Sequence, residues 1–355
     1  MNIRSKVAVL AIATLSLTAC LQVIGGIRGS GDVKTETRTV SGFKAVELAG
    51  IGKLKIEQTG SESLTVEADD NLLSYLTTEV HGTRLVIGTK PNANLRPTKP
   101  IVFRLTVKNL DNLALSGSGD IETDDINSKG FVADLNGSGN LALGRITAPR
   151  FELHSSGSGN FKSQGIKSDE ARLDASGSGS RTINNLDTKT LNVDQRSSGS
   201  IRLSGRSDGQ EIEMTGSGSY AAESLDSRTA TITTSGSGSA TLKVSEKLNA
   251  TITGSGSVTY SGEAEVQKNV SGSGRVNKRW LMREPSVHCA QCRTGAPKAH
   301  TNRPPCQSRL PKGHDQPAHK PAIDNSQAMI SNSSKMKANR RVALVRRITR
   351  PLISM

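Results

Sequence analysis

Aromatic side chains are scarce: phenylalanine, tyrosine and tryptophan together make up 3% of the 355 residues. Large rings normally supply much of the buried area of a compact core. Their scarcity argues against an ordinary globular core and favours a thin aliphatic one. It also leaves few platforms on which a sugar ring could stack, since Phe161 and Tyr220 occupy predicted core positions.

Cysteine is nearly absent, and residues 21–288 contain none. A disulfide framework therefore cannot support the fold in that part of the chain. Cys289, Cys292 and Cys306 lie among several histidines near the C-terminus. A structural zinc site needs four ligands in a tetrahedron, and the spacing here is irregular. We therefore predict no metal site and no cofactor.

Long hydrophobic runs are also missing, apart from Val7–Leu17. That run is too short to predict a membrane-spanning helix. Arg4 and Lys6 precede it, an arrangement typical of an export signal. We predict a signal peptide over residues 1–20 and a tether over residues 21–39.

The end of the signal, Leu17-Thr18-Ala19-Cys20, resembles the bacterial lipobox, in which cleavage precedes a cysteine that is then lipidated. The resemblance implies a lipid on Cys20 that anchors the protein to a membrane. Leu21, where inner-membrane lipoproteins carry aspartate, implies the outer membrane of a Gram-negative bacterium. An ordinary cleaved signal with an incidental cysteine is the alternative.

The basic charge is concentrated at the C-terminal end. Of the formal net charge of +14, residues 281–355 carry 14 Lys+Arg against 3 Asp+Glu, a net of +11. The same segment holds 8 of the 12 prolines and only 2 of the 35 glycines. We predict that residues 280–355 are a disordered basic tail that arose by a frameshift or fusion. Because the protein is expected to be exported, nucleic acid is not a predicted partner.

The most regular feature is Gly-Ser-Gly, which recurs at intervals of 18 to 20 residues from Gly117 onward. Ser197-Ser198-Gly199 fills one slot and lacks only the first glycine. A sharp corner that repeats in register needs positive φ or close backbone approach, and glycine allows both. The predicted corner glycines are Gly117, Gly119, Gly137, Gly139, Gly157, Gly159, Gly177, Gly179, Gly216, Gly218, Gly236, Gly238, Gly254, Gly256, Gly272 and Gly274.

Apolar residues keep a fixed register relative to the glycines. Position five of the repeat holds Ile121, Leu141 and Phe161, and position ten holds Ile126 and Ile146. Short stretches around positions fifteen to eighteen alternate apolar and polar residues, which is strand periodicity. One unit cannot bury its own apolar face, but stacked units can. The sequence therefore predicts an all-β fold, a parallel β-helix with coils of about 20 residues over residues 116–279.

Residues 40–115 also read as strands punctuated by glycines, with less regular spacing. They are either the first coils of the same helix or a β-cap that covers its end. Within the repeats, Asp134, Asp174 and Asp194 fall at position eighteen and are expected to share a face, interrupted by His154. Parallel β-helices include polysaccharide lyases, so these acids are the candidates for an enzymatic alternative. The other candidate acids are Asp120, Asp124, Asp125, Asp169 and Asp187.

Three pieces of the sequence carry a family resemblance: Val40-Ser41-Gly42-Phe43-Lys44-Ala45-Val46, Asp70-Asn71-Leu72-Leu73, and Leu113 to Ile121. They resemble the bacterial "putative auto-transporter adhesin head, GIN domain" family over about residues 35–278. The resemblance implies a right-handed, single-stranded β-helix and an exported location. It implies no activity, and it offers no catalytic residues to transfer.

We therefore expect a non-enzymatic, exported cell-envelope protein that acts as an adhesin or as a scaffold for envelope interactions. Its expected partners are the membrane, through the lipid anchor, and glycans or envelope proteins. The alternative is a carbohydrate-active, lyase-like or glycan-binding envelope protein. The sequence leaves the oligomeric state open.

Overall fold

The computed structural model describes residues 25–279, which form an all-β solenoid of about eight turns with coils of about 20 residues. The strands are β1 (Ile27–Arg28), β2 (Val33–Arg38), β3 (Ala45–Leu48), β4 (Lys53–Gln58), β5 (Ser63–Asp69), β6 (Leu76–His81), β7 (Arg84–Thr89), β8 (Leu95–Arg96), β9 (Val102–Val107), β10 (Asn112–Leu115), β11 (Asp120–Thr123), β12 (Ile126–Asn127), β13 (Phe131–Leu135), β14 (Leu141–Thr147), β15 (Arg150–Ser155), β16 (Phe161–Ala175), β17 (Ser180–Gln195), β18 (Ser200–Gly216), β19 (Ser219–Gly236), β20 (Ser239–Gly254), β21 (Ser257–Ser261), β22 (Glu265–Ser271) and β23 (Arg275–Lys278). One 3-10 turn spans Leu73–Tyr75.

The repeat register of the sequence is the pairing register of the sheet. Ile121 pairs with Leu141, and Leu141 pairs with Phe161 on the next coil. All three side chains are buried, as are their counterparts at positions ten, fifteen and seventeen. Phe131 and Phe151 stack with ring centroids 6.3 Å apart. The predicted parallel β-helix is confirmed.

One core position departs from the aliphatic pattern. Arg181 pairs with Phe161 and Ile201 and is only 1% exposed, so its guanidinium lies inside the solenoid. It donates hydrogen bonds to the Ser155 hydroxyl and to the carbonyl oxygens of Gly177 and Gly179. These acceptors satisfy the buried donors, while desolvation lowers the pKa of the group.

Residues 40–115 provide both coils and a cover. Strands β3 and β4 form a coil that pairs in parallel with β10 and β11 on one side. On the other side they pair in parallel with β7 and β9, which come later in the chain. The outermost coil is therefore not the first in sequence. Antiparallel strands β5 and β6 pair with β9 and β7, and β2 pairs with β5.

The predicted tether over residues 21–39 is wrong in its described part. Strand β2 pairs antiparallel with β5, and β1 pairs in parallel with β8. The strand β2 was not recognisable because its residues are exposed, so no apolar alternation marks it. Asp69 anchors this region: it is fully buried and accepts hydrogen bonds from the backbone N–H groups of Gly31 and Thr98.

The predicted signal peptide, the lipidation site Cys20 and the tail over residues 280–355 lie outside the described residues. Within residues 25–279, no helix is long and apolar enough to cross a bilayer.

Candidate functional site

The Gly-Ser-Gly corners use the two properties of glycine in different coils. A Cβ built on Gly137 would overlap the carbonyl oxygen of Gly117 on the preceding coil, although the φ of Gly137 is ordinary. From Gly216 onward the first glycine of each corner has positive φ, 133° at Gly236. The change to positive φ follows the corner Ser197-Ser198-Gly199, which lacks the first glycine. The corners form one edge of the solenoid, and a polar face lies on either side of that edge.

The predicted acidic column exists on one face. Asp134 pairs in register with His154, His154 with Asp174, and Asp174 with Asp194. Glu213 continues the column on the next coil. The position-eighteen acids therefore share a face, with His154 among them.

These acids are already engaged by neighbours. Asp174 accepts a hydrogen bond from Arg172 at 3.0 Å and lies 3.1 Å from Nδ1 of His154. Asp194 pairs with Arg196. The hydrogen bond and then the charge of Asp174 raise the pKa of Arg172. A small cavity of about 280 Å³ lies beside them.

The third predicted acid of the column, Asp134, accepts a hydrogen bond from the side chain of Asn112 at 2.8 Å. The three predicted acids are thus held by salt bridges and hydrogen bonds. It does not present the free acid pair beside a base that lyase chemistry would need. Among residues 25–279, no cluster of His, Cys, Asp and Glu is arranged to hold a metal ion.

Other charges pair across coils in the same way. Arg145 lies 3.3 Å from Asp125, and Lys189 lies 2.7 Å from Asp169, each pair one coil apart. Arg206 binds Asp187 through two nitrogens, and this hydrogen bonding lowers the pKa of Asp187. The described surface therefore carries a lattice of charged side chains paired between stacked coils.

A further concavity lies on another polar face, and sequence reasoning missed it. It has a volume of about 600 Å³. Ala142 pairs with Glu122 and Lys162, so a small residue interrupts an outward column of long ones. Gly144, two residues on, lets the coils approach closely, because a Cβ there would meet the Asp124 backbone at 2.6 Å. We call this the axial groove; its charged and amide side chains are Lys55, Glu57, Arg104, Glu122, Asp124, Lys162 and Gln164.

A sequence signal for the groove did exist. Positions six and eight of the repeat point outward, and the coil from Gly137 places Ala142 and Gly144 there. No other coil from Gly117 to Gly216 has two such small residues at these positions. The remaining lining residues come from coils whose order in space differs from their order in sequence.

Comparisons with known proteins give the same fold. A crystal structure of a "putative lipid binding protein" from Parabacteroides distasonis is 28% identical, with a TM-score of 0.53, over 72% of this chain and 100% of that one. A "putative adhesin" from Parabacteroides merdae is 20% identical, with a TM-score of 0.53, over 72% of this chain and 99% of that one. A second "putative adhesin", from Parabacteroides distasonis, is 20% identical, with a TM-score of 0.54, over 72% and 100%.

None of the curated proteins matches the chain. The family model described as "Putative auto-transporter adhesin, head GIN domain" matches twice, over residues 42–180 and 152–264. The two matches overlap on the solenoid, as expected for a repeat, and confirm the resemblance seen in the sequence. The chain therefore belongs to the auto-transporter adhesin head GIN domain family.

Proposed function

We propose that this protein is a non-enzymatic, adhesin-like protein of the cell envelope that holds a rigid polar surface against a binding partner. The observation that carries the proposal is the surface lattice. The predicted acids of the column, Asp134, Asp174 and Asp194, are held by neighbours, as Asp174 is by Arg172 and His154. Fixed side chains on a stiff frame suit recognition, because little conformational freedom is lost on binding.

Family membership supports the adhesin-like role, and a protein with that role is expected to be exported. We further propose that the protein is attached to the outer membrane through a lipid on Cys20. Labelling with a radioactive fatty acid tests this: the native protein should incorporate label and fractionate with outer membranes. Cys20→Ser should lose the label. An unlabelled native protein would contradict the anchor without affecting the binding role.

The direct test is binding of the purified mature protein to intact cells and to arrays of envelope glycans, host glycans and envelope proteins. Phospholipid vesicles belong in the panel because the relative at 28% identity is named as lipid binding. We expect saturable binding without chemical change of the ligand. Release of cleavage products would refute the non-enzymatic role, and absence of binding throughout would refute the proposal.

A further inference from the structure

We propose that the axial groove binds an acidic oligosaccharide whose charged sugars are separated by uncharged ones. The inference rests on the surface-binding role above and adds its site and ligand class. It concerns a concave surface in which some charged side chains are paired, Glu122 with Lys53 and Arg104 with Glu67, while others have no partner among the described residues.

The shape of the groove favours an extended ligand. Its lining comes from strands β9, β4, β11, β14 and β16, which are successive neighbours in the sheet. Four steps at the usual strand spacing of about 4.8 Å give a length of roughly 19 Å. The short side chain of Ala142, between Glu122 and Lys162, gives it depth. A compact small molecule would leave most of this length empty.

The groove holds charged side chains without protein partners. Four charged side chains of the groove make no ion pair or side-chain hydrogen bond within the described residues: Lys55, Lys162, Glu57 and Asp124. Glu122 lies next to Lys55 in register, yet it is Lys53 that pairs with it, at 2.5 Å.

Two of these unpaired groups have like charge and lie side by side. The Asp124 N–H donates to the carbonyl of Ile56 at 3.0 Å, which places Asp124 beside Glu57 on the adjoining coil. Neighbouring like charges on a sheet are destabilising. At several other places the solenoid pairs acids with bases across coils, as Asp125 pairs with Arg145. The groove therefore keeps hydrogen-bonding capacity that an external ligand can use.

The chemistry of the lining favours a sugar chain. None of the described lining residues is aromatic. The strands of its floor have partners on both sides, so an added peptide strand has no free edge to pair with. Recognition must come from side chains. Glu57, Asp124 and Gln164 can accept hydrogen bonds from sugar hydroxyls, and lysine ammonium groups can bind sugar carboxylates.

The arrangement of charge sets the ligand pattern. Lys55 and Lys162 are three strand spacings apart, roughly 14 Å. Glu122 and Asp124 lie on a coil between them and would repel an anionic sugar at the centre. The ligand that fits has anionic groups near both lysines and a neutral, hydroxyl-bearing sugar between.

Calorimetric titration of the mature protein tests this with three probes. Hyaluronan oligosaccharides alternate uronate with a neutral amino sugar, polygalacturonate oligosaccharides are charged at every unit, and dextran oligosaccharides are uncharged. We expect hyaluronan oligosaccharides to bind at least tenfold tighter than either of the others. The affinity should fall with added salt, because lysine–carboxylate attraction is screened.

Two variants locate the site. Ala142→Gln fills the notch at an outward position, and Lys55→Gln with Lys162→Gln removes the two unpaired lysines and leaves Arg104, which pairs with Glu67. Each should weaken hyaluronan binding at least tenfold. The matched controls are Thr182→Gln, outward in the same column but outside the groove, and Lys44→Gln with Lys129→Gln on other surfaces. Both controls should bind as the native protein does, and circular dichroism should show all variants folded.

Equal binding by the groove variants and the native protein would overturn the site, and equal binding of polygalacturonate would overturn the ligand pattern. If no oligosaccharide binds while the protein still binds cells, this inference fails and the adhesin-like function stands. If neither binds, both fail.

Discussion

Glycine serves two different purposes in this chain, and one pair of substitutions separates them. A Cβ on Gly139 would overlap the carbonyl oxygen of Gly119 in the preceding coil, while the φ of Gly139 is ordinary. Gly42 is the reverse: its φ is 78°, and nothing lies within 4 Å of an added Cβ. Alanine at Gly139 is a steric problem between coils, whereas alanine at Gly42 is a local backbone problem.

The expected magnitudes follow from these geometries. Gly139→Ala must push the corner away from its neighbour, and overpacking of this kind costs about 1–3 kcal/mol. The shift also strains the inter-coil bonds from Ser138 N to Gly117 O and from Gly159 N to Gly137 O, at 3.2 and 3.3 Å, worth about 1 kcal/mol each. We expect a total loss of about 3–5 kcal/mol. Gly42→Ala should lose only about 1–2 kcal/mol.

Asparagine distinguishes the two causes. It tolerates left-handed backbone better than other residues with a Cβ, and this chain already has Asn92 and Asn185 at φ of 61° and 48°. Gly42→Asn should therefore recover much of the loss seen for Gly42→Ala. Gly139→Asn should recover none, because its Cβ meets the same carbonyl.

Urea unfolding followed by circular dichroism measures these differences. Native-state hydrogen exchange should show the damage at Gly139 centred on the coils it joins. The control Ser138→Ala alters the exposed serine of the same corner and should change stability by less than about 0.5 kcal/mol. The reasoning is refuted if Gly139→Ala costs no more than Gly42→Ala, or if asparagine rescues Gly139.

Three further predictions concern the cap, the core and the last described coil. Burial would raise the pKa of Asp69, but hydrogen bonds from the backbone of Thr98, Lys99 and Gly31 lower this pKa overall. The ionised Asp69 therefore stabilises the folded protein above about pH 4, and this contribution is lost on acidification below that. Asp69→Asn should flatten this acid dependence in thermal melts. Arg181→Ala leaves a buried cavity and unpaired Gly177 and Gly179 carbonyls, so chemical denaturation should show a loss of about 3–5 kcal/mol. Lys268 pairs in register with the buried Ala250 and so places a charge at the inward face of the last described coil. An inward charge on an edge strand opposes pairing of that edge with another chain. Lys268→Val should increase self-association in sedimentation, and Lys247→Val should not.

Much of the fold was predictable because the repeat is local and periodic. Ile121, Leu141 and Phe161 occupy one position of a 20-residue unit, and strand pairing in register stacks them. Arg181 was not predictable at such a position, since its partners come from Ser155 and a glycine corner that only the folded coil brings near. The acidic column was predictable for the same reason as the core, but its neutralisation by Arg172 and Arg196 depended on side-chain geometry.

The sequence by itself determined the coil length, the inward residues and the corners, because a period-two strand between fixed glycines leaves one register that buries the apolar side chains. Only the tertiary structure decided the order of the first coils, the place of the polar strand β2 and the axial groove. Strands β7 and β9 lie outside β3 and β4 although they follow them in the chain. That order depends on pairing between distant segments, which local periodicity does not encode. The groove unites Lys55 and Lys162 only because the coils between them stack.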